Sequence, residues 1–466
     1  MVGMKSLEEA LGSLLERIEA LGEVTDTPGA LTRTFLSRAN QEAAKLVGWW
    51  MAGAGMAVSH DAGGSVRGVL AGVPGDQWSV IGGKAEAEEA PDESRLANGD
   101  ARPLVLGSHI DTVIDAGKYD GALGVLIAIA ALEVTGPLAF PVHVLGFSDE
   151  EGVRFHATYL GSRACVGPLE EEILELRDAE GISLRDALAE ARLGRLREGE
   201  QWRMDEEAEA SEGVAVEAHR LGAWRGEVAE FLYRPGECRG YVEVHIEQGR
   251  VLEDLGEPVC VVSGISGQSR LMVTLRGQTD HAGTTPMHLR KDALAGAAEC
   301  VLAVERLAKE PANVEAGLMA TVGKLTASPG ATNAIPGEVR FSLDFRHPED
   351  AERERLLELL LGQFGDIAAA RGLEAFAKVV QANAAVPCDP ALTERLLDAV
   401  EPLTGRRHLL PSGAGHDGVM MSRAMPIAMM FVRCKAGLSH HPDEYASPGD
   451  VAVALRGLVD FLKSVG

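Results

Sequence analysis

An α/β fold in two parts is what this sequence predicts: a larger domain built around a mostly parallel sheet, and a smaller α+β domain inserted into it. Three observations carry the prediction. The chain has 466 residues, more than one ordinary hydrophobic core organises. From Leu104 onward, apolar runs, loops and apolar helical stretches alternate as they do in parallel sheets. Between residues 265 and 382 the order becomes β-α-β-β-α, which suits a compact two-layer insertion. The domains are accordingly expected at 1–264 together with 383–466, and at 265–382.

Taken in order, EALGSLLERIEAL and NQEAAKLVGWWMAGAG have helical apolar spacing and predict two covering helices, separated by the Gly and Pro of GEVTDTPGA. Between Val73 and Pro103 the chain turns polar and charged, as a surface loop does. PLVLGSH then reads as a strand, IDTVIDAGKYDG as a loop and ALGVLIAIAALEV as a helix, and FPVHVLGFSDEEG repeats the strand and loop. Ligands of such sheets sit at the carboxyl ends of strands, where GSHIDTV and FSDEEG both fall. Residues 168–235 read as helical and acidic, the part from 195 as a surface insertion, and YVEVHIEQG at 241–249 as another strand.

The insert opens with the strand SRLMVTLRGQT and the helix RKDALAGAAECVLAVERLA. Two alternating strands follow, around GLMATVGKLTASPG and GEVRFSLDFRH, and then the helix ERERLLELLLGQFGDIAAARG. From Cys388 a helix, the Gly-rich PSGAGHDG, the apolar strand PIAMMFVRC, the loop KAGLSHHPDE and a last helix are expected to rejoin the first domain.

Composition excludes several classes. A formal charge of −26 disfavours nucleic acid and anionic membrane surfaces, which require clustered Lys and Arg. No uninterrupted apolar run is long enough to cross a bilayer, and the charged opening lacks the pattern of a secretory signal, so a soluble, cytoplasmic protein is expected. The six cysteines are scattered without a C-x-x-C pair, which argues for buried thiols rather than disulfides or a thiolate zinc site.

Chemistry concentrates just after the apolar runs. His109 and Asp111 lie in GSHIDTV, Asp120 in KYDG, Glu150 and Glu151 in SDEEG, His245 in VEVHIEQG and His440 in GLSHHPDE. A single such residue is more often a satisfied polar group than a ligand. The whole set at the strand ends of one sheet would be costly to assemble unless a cation compensated it. Imidazole and carboxylate donors without thiolate suit Mn, Zn, Co or Ni. They imply a paired-metal site in which one carboxylate bridges and a further one moves protons.

GSHIDTVIDAGKYDG, FSDEEGVRF, YVEVHIEQG, HAGTTPM, TNAIPGEV, SGAGHDG and FVRCKAGLSHHPDE resemble, in that order, the motifs of the M20-type metal-dependent amidohydrolases. The likeness is strongest to the branch acting on allantoate and N-carbamoyl-L-amino acids. It implies a bimetal catalytic domain with an inserted lid and dimerisation domain, and two divalent metal ions per subunit, with Mn favoured. His109, Asp120 and His245 would bind one ion and Asp120, Glu151 and His440 the other, with Asp120 bridging. Glu150 would be the catalytic acid/base, and Asp111 would orient the His109 ring. His441 creates an ambiguity beside His440, which alignment on the Ser-His-x-Pro frame resolves toward His440.

In the insert the resemblance implies that Arg270, Asn333 and Arg346 bind substrate and that His281 polarises the scissile carbonyl. A guanidinium grips a carboxylate in bidentate fashion, and an imidazole or amide stabilises an oxyanion. His416 stands evenly between approaching substrate and forming a turn beneath the metals. The small domain is also expected to form a homodimer interface and to place its His and Asn in the partner's site; a lid on glycine hinges near Gly264 and Gly267 would usefully exclude water, and the sequence leaves its movement open.

Hydrolysis of the ureido group of allantoate is the expected reaction. N-carbamoyl-L-amino acid or 3-ureidopropionate hydrolysis is the alternative, and M20 peptidase or deacylase chemistry stands third. A degenerate binding module would have lost a ligand or the acid/base glutamate, yet every expected position is filled. Departures from the family are the longer 73–103 stretch, DAGGSVRG in place of an Asn-containing turn, and the 195–235 insertion.

Overall fold

The computed structural model describes residues 4–73, 101–191 and 231–465. Most of the polar stretch between Val73 and Pro103, and of the acidic insertion expected at 195–235, lies outside the described residues. Two compact units divide the chain: Met1–Val262, Cys388–Leu410 and His416–Gly466 in the first, Ser263–Pro387 and Pro411–Gly415 in the second.

The strands in chain order are β1 Ala57–His60, β2 Val66–Leu70, β3 Leu104–His109, β4 Val142–Phe147, β5 Gly240–Ile246, β6 Val259–Ile265 and β7 Gly267–Arg276. They continue as β8 Met319–Thr321, β9 Leu325–Ser328, β10 Glu338–His347, β11 Glu374–Asn383, β12 Val386–Pro387, β13 Leu409–Ser412 and β14 Ile427–Val432. The main helices are α1 Leu7–Gly22, α2 Arg38–Gly53, α3 Ala122–Thr135, α4 Ala293–Ala308, α5 Asp350–Ala370, α6 Pro390–Thr404 and α7 Pro448–Ser464.

In the first unit the sheet runs β1-β2-β4-β3-β5-β14-β6. β3 is parallel to β4 and β5, and β14 is parallel to β5, while β2 and β6 run antiparallel to their neighbours. Every residue of β3, β5 and β14 is buried, which is why β14 reads as an unbroken apolar run, while β5 buries Glu243 and His245 among its apolar residues. α3 is apolar almost all round because it is enclosed, packed against α1, α7 and the sheet. Its one charge, Glu133, is answered by Arg17 at 2.7 Å and Lys5 at 3.1 Å. α1 starts at a capping box in which Ser6 and Glu9 each bond the other's backbone N–H.

The hairpin β1–β2 is not anticipated by the sequence reading. Within DAGGSVRG the Asp61 carboxylate accepts the Ser65 N–H at 2.8 Å and so closes the turn. The helical reading of residues 168–191 is met only in part, by the one-turn helix Glu171–Leu174 and a further helix from Leu184.

The second unit is a five-stranded antiparallel sheet, β11-β7-β10-β8 with β9 also on β10. Alternation along β7 and β10 sends Leu271, Val273, Leu275, Val339, Phe341, Leu343 and Phe345 to one face, against α4 and α5. The segment expected as one strand around GLMATVGKLTASPG is two short ones, β8 and β9, and β11 is an additional edge strand. β11 shows no apolar alternation because most of its side chains are exposed on both faces. Pro411–Gly415, which the sequence reading gives to the catalytic part, goes with this unit, where Arg346 Nη1 donates to the Gly413 carbonyl at 2.6 Å.

All six cysteines are buried and free, as expected. No helix among the described residues is long and apolar enough to cross a membrane.

Candidate active site

Because β3, β4, β5 and β14 are parallel, their carboxyl ends share one edge of the first unit's sheet. His109 ends β3, Glu150 and Glu151 follow β4, His245 lies near the end of β5, and His440 lies in the loop after β14. Asp120 lies just ahead of α3, next to Gly121 at φ 65°. A Cβ on Gly121 would stand 2.4–2.5 Å from the His109 ring, so this approach of loop to imidazole requires glycine.

His109 Nδ1 lies 3.2 Å from the Asp111 carbonyl oxygen, and His245 Nδ1 lies 2.9 Å from that of Ile246. Each ring thus commits its Nδ1 proton to the backbone and turns Nε2 inward. The two Nε2 atoms are 3.4 Å apart and face Asp120 Oδ1, at 3.5 Å from His109 and 3.0 Å from His245. The other oxygen, Oδ2, faces His440 Nε2 at 3.3 Å, and that nitrogen is 3.2 Å from Glu151 Oε1. One carboxylate therefore presents one oxygen to each of two donor sets. Converging lone pairs of this kind need protons or a cation at their centre, and nitrogen and oxygen donors without sulfur fit a divalent transition-metal ion.

Donor atoms of His109, Asp120 and His245, and of Asp120, Glu151 and His440, lie within 4.8 Å of one another, as metal ligands must. His109, Glu150 and Glu151 make a third such group, so Glu150 is within reach of the same centre. His441 is turned out of the cluster, its Nδ1 accepting the Asp443 N–H at 3.1 Å.

The electrostatics describe a cation-seeking centre. Burial works against charge on His109, yet the carboxylates of Asp111 and Asp120 lift it well above its usual range. Burial likewise opposes ionisation of Asp120, but the imidazoles of His109, His245 and His440 hold it well below the usual carboxylate range. Hydrogen bonds to Asp120 and Glu151 raise His440 to about 10. Burial pushes Glu150 well above the carboxylate range; His109 opposes this, and Glu151 and Asp417 add to it.

Asp111 does more than the sequence reading gave it. Its Oδ1 lies 3.4 Å from His109 Nδ1 and accepts the Glu150 N–H at 3.0 Å, while Oδ2 accepts the Glu151 N–H at 3.2 Å. One buried carboxylate thus ties the β3 loop to both glutamates. Gln248 and Ser439, to which no role is assigned from sequence, both donate to Asp120 Oδ2, Gln248 at 3.0 Å. Gln248 sits in the quoted HIEQG and adopts a left-handed φ of 55°, a strain that aims its side chain at this site. Glu243 lies beneath, its two oxygens taking the Ser108 hydroxyl at 2.9 Å and the Gly418 N–H at 3.1 Å.

His416, expected either to contact substrate or to form a turn beneath the metals, is 1% exposed. Its ring packs edge-on to His245 at 4.5 Å and against Phe431 at 5.9 Å, and burial depresses its basicity far below the usual range. This is the floor of the cluster rather than a surface open to a small molecule.

The second unit holds the other expected residues. Arg270 and Arg346 sit on the neighbouring strands β7 and β10 and line a cavity of about 530 Å³. Both grip one carboxylate that the sequence reading passed over: Asp344, 2.9 Å from Arg270 Nε and 2.8 Å from Arg346 Nε. His281 and Asn333 are neighbours, joined by a bridge between His281 and Ala334 and by a 2.9 Å bond from Ala282 N–H to the Asn333 carbonyl. His281 is exposed, and its Nδ1 accepts the Gly283 N–H at 3.1 Å, so the proton resides on Nε2 and is available as a donor.

Known proteins resemble this chain along its length. The model of peptidase family M20/M25/M40 matches residues 105–464. An allantoate deiminase of Arabidopsis thaliana is 37% identical over 96% of this chain and 81% of that protein. An N-carbamoyl-L-amino acid amidohydrolase of Geobacillus stearothermophilus is 34% identical over 96% of both. Among solved structures, a hydantoinase/carbamoylase family amidase from Burkholderia multivorans superposes with a TM-score of 0.78 at 27% identity, covering 99% of this chain and 98% of that one.

Proposed function

The chain belongs to peptidase family M20/M25/M40, and with that as premise we propose that it is a dinuclear amidohydrolase that cleaves the ureido group of allantoate. Hydrolysis of non-peptide C–N bonds in small ureido compounds is common to the named relatives. The observation that carries the dinuclear reading is the division of Asp120, one oxygen toward His109 and His245 and the other toward His440. Allantoate is preferred as substrate on the 37% identity to the allantoate deiminase of Arabidopsis thaliana.

His109, Asp120 and His245 would hold one ion, and Asp120, Glu151 and His440 the other. Bound divalent ions, Mn first among Mn, Zn, Co and Ni, supply a water acidic enough to ionise near neutral pH. Glu150 takes the proton of the attacking water and delivers it to the leaving nitrogen. Its burial favours this work, because a carboxylate whose proton affinity is lifted above the ordinary range is a stronger base toward the attacking water. Asp111 fixes the backbone of both glutamates and the tautomer of His109. The carbamate released decomposes to ammonia and carbon dioxide and leaves ureidoglycine.

Arg270, Arg346 and Asn333 bind the substrate acid, and His281 Nε2–H polarises the scissile carbonyl. These four roles rest on the family resemblance, supported by the proton disposition of His281. The chain acts as a homodimer in which the second unit's His281 and Asn333 serve the partner's metals.

The test is ammonia release by Mn-reconstituted protein on allantoate, N-carbamoyl-L-amino acids, 3-ureidopropionate and a dipeptide. Preference for allantoate, lost in Glu150→Gln with metal content unchanged, is the expected result. Preference for a carbamoyl amino acid would overturn the substrate and keep the site.

A further inference from the structure

The loop that carries His440 touches Asp120 at more than its imidazole. Ser439 Oγ donates to Asp120 Oδ2, His440 Nε2 stands 3.3 Å from the same oxygen, and Glu444 reaches the backbone. Glu444 Oε1 accepts two consecutive amides, Tyr119 N–H at 2.8 Å and Asp120 N–H at 2.9 Å. The loop is itself closed by Glu444 N–H to the His441 carbonyl at 3.0 Å. Glu444 is 3% exposed, and its other oxygen, Oε2, is buried without a hydrogen-bond partner. An idle carboxylate oxygen inside a protein is costly, and a turn needs no buried charge to be closed.

Passage for this side chain is reserved in the sequence. A Cβ on Gly117 would fall 2.3–2.5 Å from Glu444 side-chain atoms, closer than any real contact allows. The glycine of AGKYDG therefore leaves room for a carboxylate that arrives from more than 300 residues away, at a separation of 324 between Glu444 and Asp120.

We propose that Glu444 is a positioning residue that fixes Asp120 as the common ligand of the two ion sites, by pinning the N–H groups of Tyr119 and Asp120. The proposal rests on the dinuclear reading above. Asp120 can offer one oxygen to each ion only if its backbone is held to within a few tenths of an ångström. The same loop supplies a ligand of the second ion, so Glu444 couples the placement of His440 to that of Asp120.

The experiment is Mn binding by equilibrium dialysis with metal analysis, on full-length wild type, Glu444→Gln, Glu444→Ala, Gly117→Ala and the double variant Gly117→Ala/Glu444→Ala. Wild type is expected to bind two ions per chain. Glu444→Gln keeps an oxygen that accepts both amides and should stay within a few-fold of wild type. Glu444→Ala should weaken binding of at least one ion by roughly 10- to 100-fold, the usual scale for losing a supporting hydrogen bond behind a ligand. Gly117→Ala displaces Glu444 without removing it and should reproduce the loss. The double variant should be no worse than the weaker single one, because both act through one contact.

Should Glu444→Ala not fold, Gly117→Ala with its carboxylate intact decides alone. Wild-type affinity for both ions in folded Glu444→Ala or Gly117→Ala overturns the proposal. A loss in Glu444→Gln equal to that in Glu444→Ala overturns it as well, since charge rather than the acceptor contacts would then matter. A wild-type chain that binds fewer than two ions overturns the dinuclear reading itself, and the proposal falls with it.

Discussion

Asp111→Asn is the change that most directly tests whether one buried carboxylate organises this site. The substitution is isosteric and keeps Oδ1, with its 3.0 Å bond from Glu150 N–H and its 3.4 Å approach to His109 Nδ1. It replaces Oδ2, which accepts the Glu151 N–H at 3.2 Å, by an amide NH₂. Two donors then confront each other where a charge-assisted bond stood, and at 1% exposure water has no access to separate them. A hydrogen bond to a charged acceptor contributes about 1.5–3 kcal/mol, and the stranded Glu151 N–H keeps its desolvation cost, so about 2–3 kcal/mol of metal-free stability should be lost. That is a sizeable part of the 5–15 kcal/mol typical of a domain, yet the protein should still fold. Urea unfolding of the chelator-treated protein measures it, and Mn titration of the folded variant should show weakened binding, because Glu151 is the ligand released. A loss below about 0.5 kcal/mol, with Mn affinity unchanged, would refute the reasoning and reduce Asp111 to a bystander of the His109 ring.

Two further outcomes are expected, the first from the geometry of His440 and the second from the proposed homodimer. In the metal-free protein His440 is raised from 6.5 to about 10 by Asp120 and Glu151, so its contribution to stability is present in full below about pH 6.5 and is lost as pH rises toward 10. His440→Gln should flatten that part of the stability profile, and Mn should do the same in wild type by taking the proton's place; an unchanged slope in His440→Gln would remove the pairing. Mixing Glu150→Ala chains with His281→Ala chains should restore appreciable activity if sites are shared between subunits, and silence in verified heterodimers would eliminate a shared site.

Local chemistry made much of this molecule legible in advance. PLVLGSH, PVHVLGF, YVEVHI and IAMMFV are short segments dominated by apolar residues because their strands are largely covered on both faces, and that pattern is visible residue by residue. Polar residues placed directly after such runs fall at the carboxyl edge of a parallel sheet, which is why His109, Glu150, Glu151, His245 and His440 could be named together. β11 and the hairpin β1–β2 escaped notice for the complementary reason. The side chains of β11 are mostly exposed on both faces, and the hairpin strands are only four and five residues long, so neither carries a long periodic apolar signal.

The sequence by itself determined the donor set, its lack of thiolate and the strand ends on which it would be mounted, since residue type and hydrophobic period are local properties. Only the tertiary structure decided which oxygen faces which imidazole. The order β4-β3-β5-β14 brings together loops separated by hundreds of residues, and it is this pairing that divides Asp120 between two sets of donor side chains. The same holds for Asp111 beneath both glutamates, Asp344 between two arginines and Glu444 on the amides of Tyr119 and Asp120. Asp344 and Glu444 are ordinary acidic residues in sequence, Asp111 is foreseen only as a partner of His109, and each acquires its observed contacts from partners that only folding delivers.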